Sequence, residues 1–139
     1  MNAKPKLVAV ASALVVAGCA TGGFHTTEAK DCRGSGVCKI DVTVDNCRIT
    51  VADPINVYDG AKEIHWDIKT DTYSFPEDGI FIKNDAGGQA DDLRRLNDKT
   101  FKLHDKNSSD QTKIDYGIKV LHNNVPCSPP LDPGIINHG

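Results

Sequence analysis

The sequence predicts an all-β protein: a single antiparallel β-sandwich of about seven short strands, preceded by a leader and a tether. Three observations predict it. From Cys38 onward apolar and polar residues alternate with a period of two, the pattern of strands buried on one face. Turn-forming residues interrupt that alternation repeatedly. Almost no stretch carries the 3.6-residue period of a helix. No internal repeat is present. Of 139 residues, 18 fall in the leader, and the remaining 121 suit one domain with a modest core.

The elements follow in order. In CKIDVTVD, Ile40, Val42 and Val44 share one face, with Lys39, Asp41 and Thr43 on the other. Asp45-Asn46 marks a turn, after which Cys47, Ile49 and Val51 fall on one face. Pro54 stops this strand and INVY starts the next. Asp59-Gly60 signals a two-residue hairpin, because both residues tolerate positive φ. KEIHWDIK then alternates Ile64, Trp66 and Ile68 with His65, Asp67 and Lys69. Tyr73 and Phe75 alternate before Pro76, and Gly79 opens GIFIK, with Ile80 and Ile82 on one side and Phe81 on the other.

Residues 84–98 (NDAGGQADDLRRLND) lose the alternation. Leu93 and Leu96 lie three apart behind Asp91 and Asp92, which predicts one or two helical turns. TFKLH restores a strand with Phe101 and Leu103 inward. After the turn DKNSSDQ, TKIDYGIKVLH carries the clearest alternation of all: Ile114, Tyr116, Ile118 and Val120. The tail NNVPCSPPLDPGIINHG holds four prolines, which excludes a central strand and leaves Ile135-Ile136 a brief edge pairing. Asp132-Pro133-Gly134 shapes the turn that lays those isoleucines against the sheet. Trp66, the single tryptophan, belongs to the core.

The leader begins MNAKPK, with Lys4 and Lys6 and no acid, and continues as an apolar run over residues 7–18. Basic n-region, short apolar h-region and small residues before a cleavage point are the marks of a secretory signal peptide. Twelve helical residues rise only about 18 Å, short of a hydrocarbon core about 30 Å thick. The run ends Val16-Ala17-Gly18-Cys19. This resembles the lipobox of bacterial lipoprotein precursors: a branched apolar residue, two small residues, then the cysteine. The resemblance implies a diacylglycerol on the Cys19 sulfur, cleavage before Cys19 and acylation of the new amine. Several acyl chains make a stable anchor where one binds marginally. The alternative is a plain leader cut at Ala11-Ser12-Ala13, which lies inside the apolar run. Ala20 follows the cysteine, and the family's sorting rule then implies the outer membrane, facing the periplasm. The expected organisation is a signal peptide over residues 1–18, a lipidated tether over 19–30 and the sandwich over 31–139.

IHWDI, YSFPEDGI, IDYGIKV and LDPGIIN together resemble stretches of small exported bacterial β-sandwich proteins of immunoglobulin-like or cupredoxin-like shape, which end in a similar Asp-Pro-x-Ile-x-Asn tail. The resemblance implies a fold and no particular activity.

Without residues 1–18 the charge balance is 14 basic against 19 acidic, a net −5. A net acidic chain with no Lys/Arg cluster in sequence argues against nucleic acid and against electrostatic docking on anionic lipid, leaving the membrane to the N-terminal lipid. Cys32, Cys38, Cys47 and Cys127 remain, an even count that reads as two disulfides in an exported chain. Three pairings are open. Cys32–Cys38 with Cys47–Cys127 is favoured, because CRGSGVC closes a flexible short ring and the second bridge ties an early strand to the tail. Spacings of five, eight and 79 intervening residues match no zinc pattern.

Catalytic constellations are absent from the sequence. A blue-copper site needs two His, a Cys and usually a Met, and the sole methionine is Met1. His25, His65, His104, His122 and His138 are scattered singly. His65 and Asp67 share a strand face but sit about 7 Å apart, as same-face neighbours do. A pairing of His104 with His122 across neighbouring strands is the other conceivable histidine contact. Ser35, Ser74, Ser108, Ser109 and Ser128 lie in no nucleophile motif, and AGGQAD is no phosphate loop. Asn107-Ser108-Ser109 fits a glycosylation sequon that a bacterial lipoprotein does not use. The expectation is a non-enzymatic, membrane-anchored periplasmic module with a protein partner, no cofactor and no metal. The alternatives are an inhibitor or immunity lipoprotein steered to a basic cell-wall hydrolase, and a periplasmic enzyme or metal carrier.

Overall fold

A computed structural model describes residues 26–139. The leader, Cys19 and His25 lie outside the described residues. Within them the chain is all-β, with fourteen short strands and no helix. They are β1 (Thr26–Thr27), β2 (Lys30–Cys32), β3 (Val37–Asp45), β4 (Arg48–Ala52), β5 (Ile55–Val57), β6 (Lys62–Ile68), β7 (Tyr73–Ser74), β8 (Ile80–Asn84), β9 (Ala90–Asn97), β10 (Thr100–Asp105), β11 (Lys113–Ile118), β12 (Leu121–His122), β13 (Val125–Pro126) and β14 (Gly134–Asn137). Six form one sheet, in the order β1-β4-β3-β6-β10-β9; five form a second, β2-β5-β14-β11-β8; a small third sheet runs β13-β12-β7.

The two large sheets enclose one core, and the alternation read from the sequence decides which side chains enter it. Val42, Ile64, Trp66 and Leu103 point inward from the first sheet, and Ile114, Tyr116, Ile118 and Ile135 from the second; all are fully buried. Across the seam Trp66 Nε1 donates to Tyr116 OH at 3.2 Å, and their rings lie 5.1 Å apart. Each buried side chain of this size contributes about 1.5–3 kcal/mol by leaving water. Phe75 and Phe101, also buried, meet edge to face at 5.2 Å.

Several expectations need correction. Residues 90–97 form β9, not helical turns. Asp92 has φ 47° and the β9–β10 register shifts beside it, so a bulge breaks the period that would have disclosed the strand. The tail does hold a central strand: β14 lies third of five, parallel to β5 and antiparallel to β11. All four prolines precede it, so none interrupts its ladder. Asp59 and Gly60 adopt the positive φ expected, 62° and 79°, but they carry the chain from the second sheet to the first rather than closing a hairpin. The β3–β4 turn falls one residue later than expected, on Asn46 and Cys47 (φ 47° and 61°), the signature of a type I′ turn. Pairing is mixed rather than purely antiparallel, since β3–β6, β2–β5, β5–β14 and β1–β4 are parallel. The sheets also claim Thr26, Thr27 and Lys30 from the stretch assigned to the tether.

Candidate functional site

The two disulfides join Cys32 to Cys38 and Cys47 to Cys127, the pairing favoured from the sequence. The first is part of the core, with Cys32 and Cys38 both buried. The second fastens the β3–β4 turn to the chain just after β13. Beside it Cys47 N donates to Tyr73 OH at 3.2 Å, and His122 stacks on Tyr73 at 4.5 Å.

The histidines stay apart. His65 Nε2 donates to Glu63, not Asp67, and Asp67 instead accepts from Thr100 Oγ1 at 2.7 Å. His104 pairs with Asp91 at 2.7 Å on the first sheet, whereas His122 lies in the small sheet, so the two do not meet. Ser108 Oγ donates to Gln89 Oε1. Among the described residues no group of three or more His, Cys, Asp or Glu is placed to hold a metal, and no helix is long and apolar enough to cross a membrane.

The outer face of the six-stranded sheet is striped with charge. Register places Lys39, His65, Lys102 and Arg94 in one row across β3, β6, β10 and β9. Glu63 and Asp91 occupy the next row with His104, and Asp41 and Asp67 the row on the other side. Lys102 bonds Asp92 at 2.8 Å and reaches Glu63 at 3.8 Å. The hydrogen bond from His65 holds the Glu63 carboxyl below the usual carboxylate range, and that from Lys102 does the same for Asp92. Lys102 and Arg94 are thus matched on this face, while Lys39, in the β3 position of the row, has no carboxylate within 4.0 Å among the described residues.

A different balance holds at the Cys32–Cys38 loop. β2 lies at the edge of the second sheet; the chain then turns through Arg33-Gly34-Ser35-Gly36 and enters β3 of the first. Gly34 and Gly36 take φ 71° and 111°, conformations that a side chain would strain. The loop and its neighbours line a cleft of about 350 Å³, near the lower end of small-ligand sites, whose charged lining is Lys30, Arg33, Lys39, Lys62 and one acid, Asp31. An adjoining cleft of about 660 Å³ shares Lys30 and Lys39 and passes over Ile40 and Val51 between β3 and β4.

Two of these cations, Lys62 and Arg33, are held by structure, whereas Lys30 and Lys39 are exposed. Lys62 sits at an inward position of β6, only 3% exposed, and its Nζ donates to Gly34 O. Among the described residues no carboxylate lies within 4.0 Å of it. The Arg33 guanidinium lies 3.7 Å over the Tyr58 ring, a cation–π contact, and 3.6 Å from Asp31. Tyr58 stacks on His138 at 4.3 Å. His138 Nε2 donates to Asn56 Oδ1 at 3.1 Å, and Asn56 Nδ2 donates to Asp31 Oδ1 at 3.0 Å, which closes a ring of contacts. Gly34 N donates to Asp59 Oδ2 at 2.7 Å and fixes the loop on the β5–β6 arch.

A second polar group is enclosed at the end of β10. Asp105 Oδ1 accepts from Asn107 N at 3.0 Å and Asn137 Nδ2 at 3.1 Å. Asn107 ties in Gly60 O at 3.0 Å and Gly139 N at 3.1 Å. Asp105 Oδ2 and Asn137 Oδ1 are buried without partners. Burial pushes the Asp105 carboxyl above the usual carboxylate range, and Asp85 adds to the effect, against the two hydrogen bonds it accepts. This group clasps the last strand in place.

The cation cluster escaped sequence reasoning, because its members are spread from residue 30 to residue 62. One signal was present. Lys62 is in phase with Ile64, Trp66 and Ile68 and so had to point inward. No protein-family model matches the chain, and no curated protein matches it.

Proposed function

We propose that this chain is an exported, lipid-anchored protein of the bacterial envelope whose sandwich binds a partner rather than transforming a substrate. The observation that carries the reading is Val16-Ala17-Gly18-Cys19 closing a basic-then-apolar leader. Two disulfides in a domain this small suit an oxidising compartment and support export. From Cys19 to the first strand at Thr26 the chain advances seven residues, at most about 25 Å when extended. A lipid at Cys19 therefore keeps the β1 edge of the sandwich close to the bilayer. Ala20 directs the protein to the outer membrane under the family's sorting rule.

Radiolabelled palmitate supplied to a bacterial host expressing the full chain tests the anchor. The wild type is expected to take up label and to run at its processed size, and Cys19→Ala to stay unprocessed and unlabelled. Equal labelling of the two would refute the anchor.

A further inference from the structure

We propose that the cleft beside the Cys32–Cys38 loop is a binding site for a phosphate group. Its lining gathers Lys30, Arg33, Lys39 and Lys62 against the single acid Asp31. Asp31 is already occupied by Arg33 and Asn56, at 3.6 and 3.0 Å. The excess of positive charge is local, since the chain past its leader is net acidic. Arg33 has Asp31 as its partner, as Lys102 and Arg94 have Asp92, but Lys30, Lys39 and Lys62 have no carboxylate within 4.0 Å among the described residues.

Lys62 carries the argument furthest. Taking an ammonium out of water is costly unless acceptors replace the lost hydration. Lys62 is almost fully buried, yet its Nζ has one protein acceptor, the Gly34 carbonyl, for three N–H donors. An anion seated in the cleft supplies the missing acceptors. Arg33 contributes a planar fork whose orientation is set by Tyr58, and such forks match the oxygen geometry of a phosphate. Lys30 and Lys39 stand where the two clefts adjoin; the larger cleft adds the acids Glu28 and Asp41, so the phosphate belongs in the smaller cleft and only an uncharged or cationic remainder of the molecule suits the larger one. The Cys32–Cys38 bridge and the Gly34–Asp59 hydrogen bond hold the loop open in advance of binding. None of this depends on whether Cys19 is acylated.

The phosphate has two chemical sources, a soluble phosphate or a phospholipid headgroup, and one set of proteins separates them. Purified full chain is titrated with inorganic phosphate by calorimetry and, separately, mixed with vesicles of phosphatidylglycerol or of phosphatidylcholine. The comparison variants are Lys30→Gln with Lys39→Gln, both at the rim, and Lys102→Gln on the striped face. Saturable phosphate binding is expected, weakened about tenfold in the double variant, unchanged in Lys102→Gln and weaker at high salt. If the source is a headgroup, partitioning onto phosphatidylglycerol over phosphatidylcholine falls about fivefold per lysine removed. Residues 1–25 are identical in all the proteins, so any membrane affinity of the leader or its lipid cancels. Preference for inorganic phosphate without a lipid difference assigns the soluble source. Failure to bind in both arms, or equal binding by the double variant and the wild type, would overturn the site while leaving the lipid anchor untouched. Circular dichroism on the double variant, whose substituted residues lie outside the core, keeps a folding defect from passing as a result.

Discussion

Replacing Cys47 and Cys127 together by alanine removes the cross-link between the β3–β4 turn and the tail. The bridge spans a sequence separation of 80, against six for Cys32–Cys38. In the chain-entropy model a cross-link withdraws freedom from the unfolded ensemble in proportion to the logarithm of the loop it closes. That gives about 4.5 kcal/mol for the long bridge and about 2.4 kcal/mol for the short one. The native contacts around the long bridge do not depend on the sulfurs. Cys47 N still reaches Tyr73 OH, and Tyr73 still stacks on His122. Most of the loss therefore arises in the unfolded chain, which also becomes more expanded. For a domain of this size the entropy of unfolding is about 0.25 kcal/mol per kelvin, so the melting temperature should fall about 18 °C for the long pair. For Cys32→Ala with Cys38→Ala the same reasoning gives about 10 °C. Thermal and urea unfolding followed by circular dichroism reads both, and the urea m-value of the long-pair variant should rise. The account fails if the short-pair variant proves the less stable of the two, or if cutting the long bridge leaves the melting temperature in place.

Three further outcomes are expected. Asp105 has a folded pKa raised by burial, so the folded state binds its proton more tightly and stability falls as pH rises above the ordinary carboxylate range. Asp105→Asn should flatten that decline and add about 1 kcal/mol at neutral pH, measured by urea unfolding across pH; a steeper decline would contradict it. Tyr116→Phe leaves Trp66 Nε1 without an acceptor in a dry core, and should cost about 1–3 kcal/mol and alter the emission of the single tryptophan. Gly117 lies opposite Phe81 in the β8–β11 pair, and an added Cβ would collide with that ring. Gly117→Ala should destabilise by about 1–2 kcal/mol, and a Phe81→Ala background should relieve most of it; additivity in that double-mutant cycle would show that the ring is not the obstacle.

What could be read from the chain was whatever a period of two discloses. Ile40, Val42 and Val44, and again Ile114, Tyr116 and Ile118, announce one buried face because β3 and β11 are long enough to repeat the pattern. β13 has two residues, too few to alternate, and shows no strand signal, whereas β7 coincides with the alternation of Tyr73 and Phe75, and β12 falls at the end of the TKIDYGIKVLH alternation. β9 was lost to its bulge at Asp92. β14 is hidden for a subtler reason. Four prolines mark the tail as a whole, but proline forbids a ladder hydrogen bond only at its own position. Pro133 ends just before Gly134, whose N–H donates to Asp53 Oδ1 at 3.1 Å, and Ile135 and Ile136 then pair with β5 on one side and β11 on the other.

The cation cleft depends on information that no local window contains. Lys30 and Arg33 flank the edge of one sheet, whereas Lys39 and Lys62 belong to neighbouring strands of the other. They converge because the chain crosses from the second sheet to the first twice within a short stretch, once at the Cys32–Cys38 loop and once at the Asp59-Gly60 arch, and because Gly34 bonds Asp59 where those two crossings meet. Parallel pairing of β3 with β6 then sets Val37 opposite Glu63, which brings the start of β6, and Lys62 with it, under the loop. A sequence reader who assumes antiparallel neighbours places Lys62 at the far end of β3. The net charge misleads in the same way, since an acidic total is compatible with a basic cleft once pairing decides which charges are neighbours. The inward phase of Lys62 is the one local clue, and its weight comes from physics rather than pattern: a lysine in phase with Ile64 and Trp66 buries its ammonium and needs acceptors for it there.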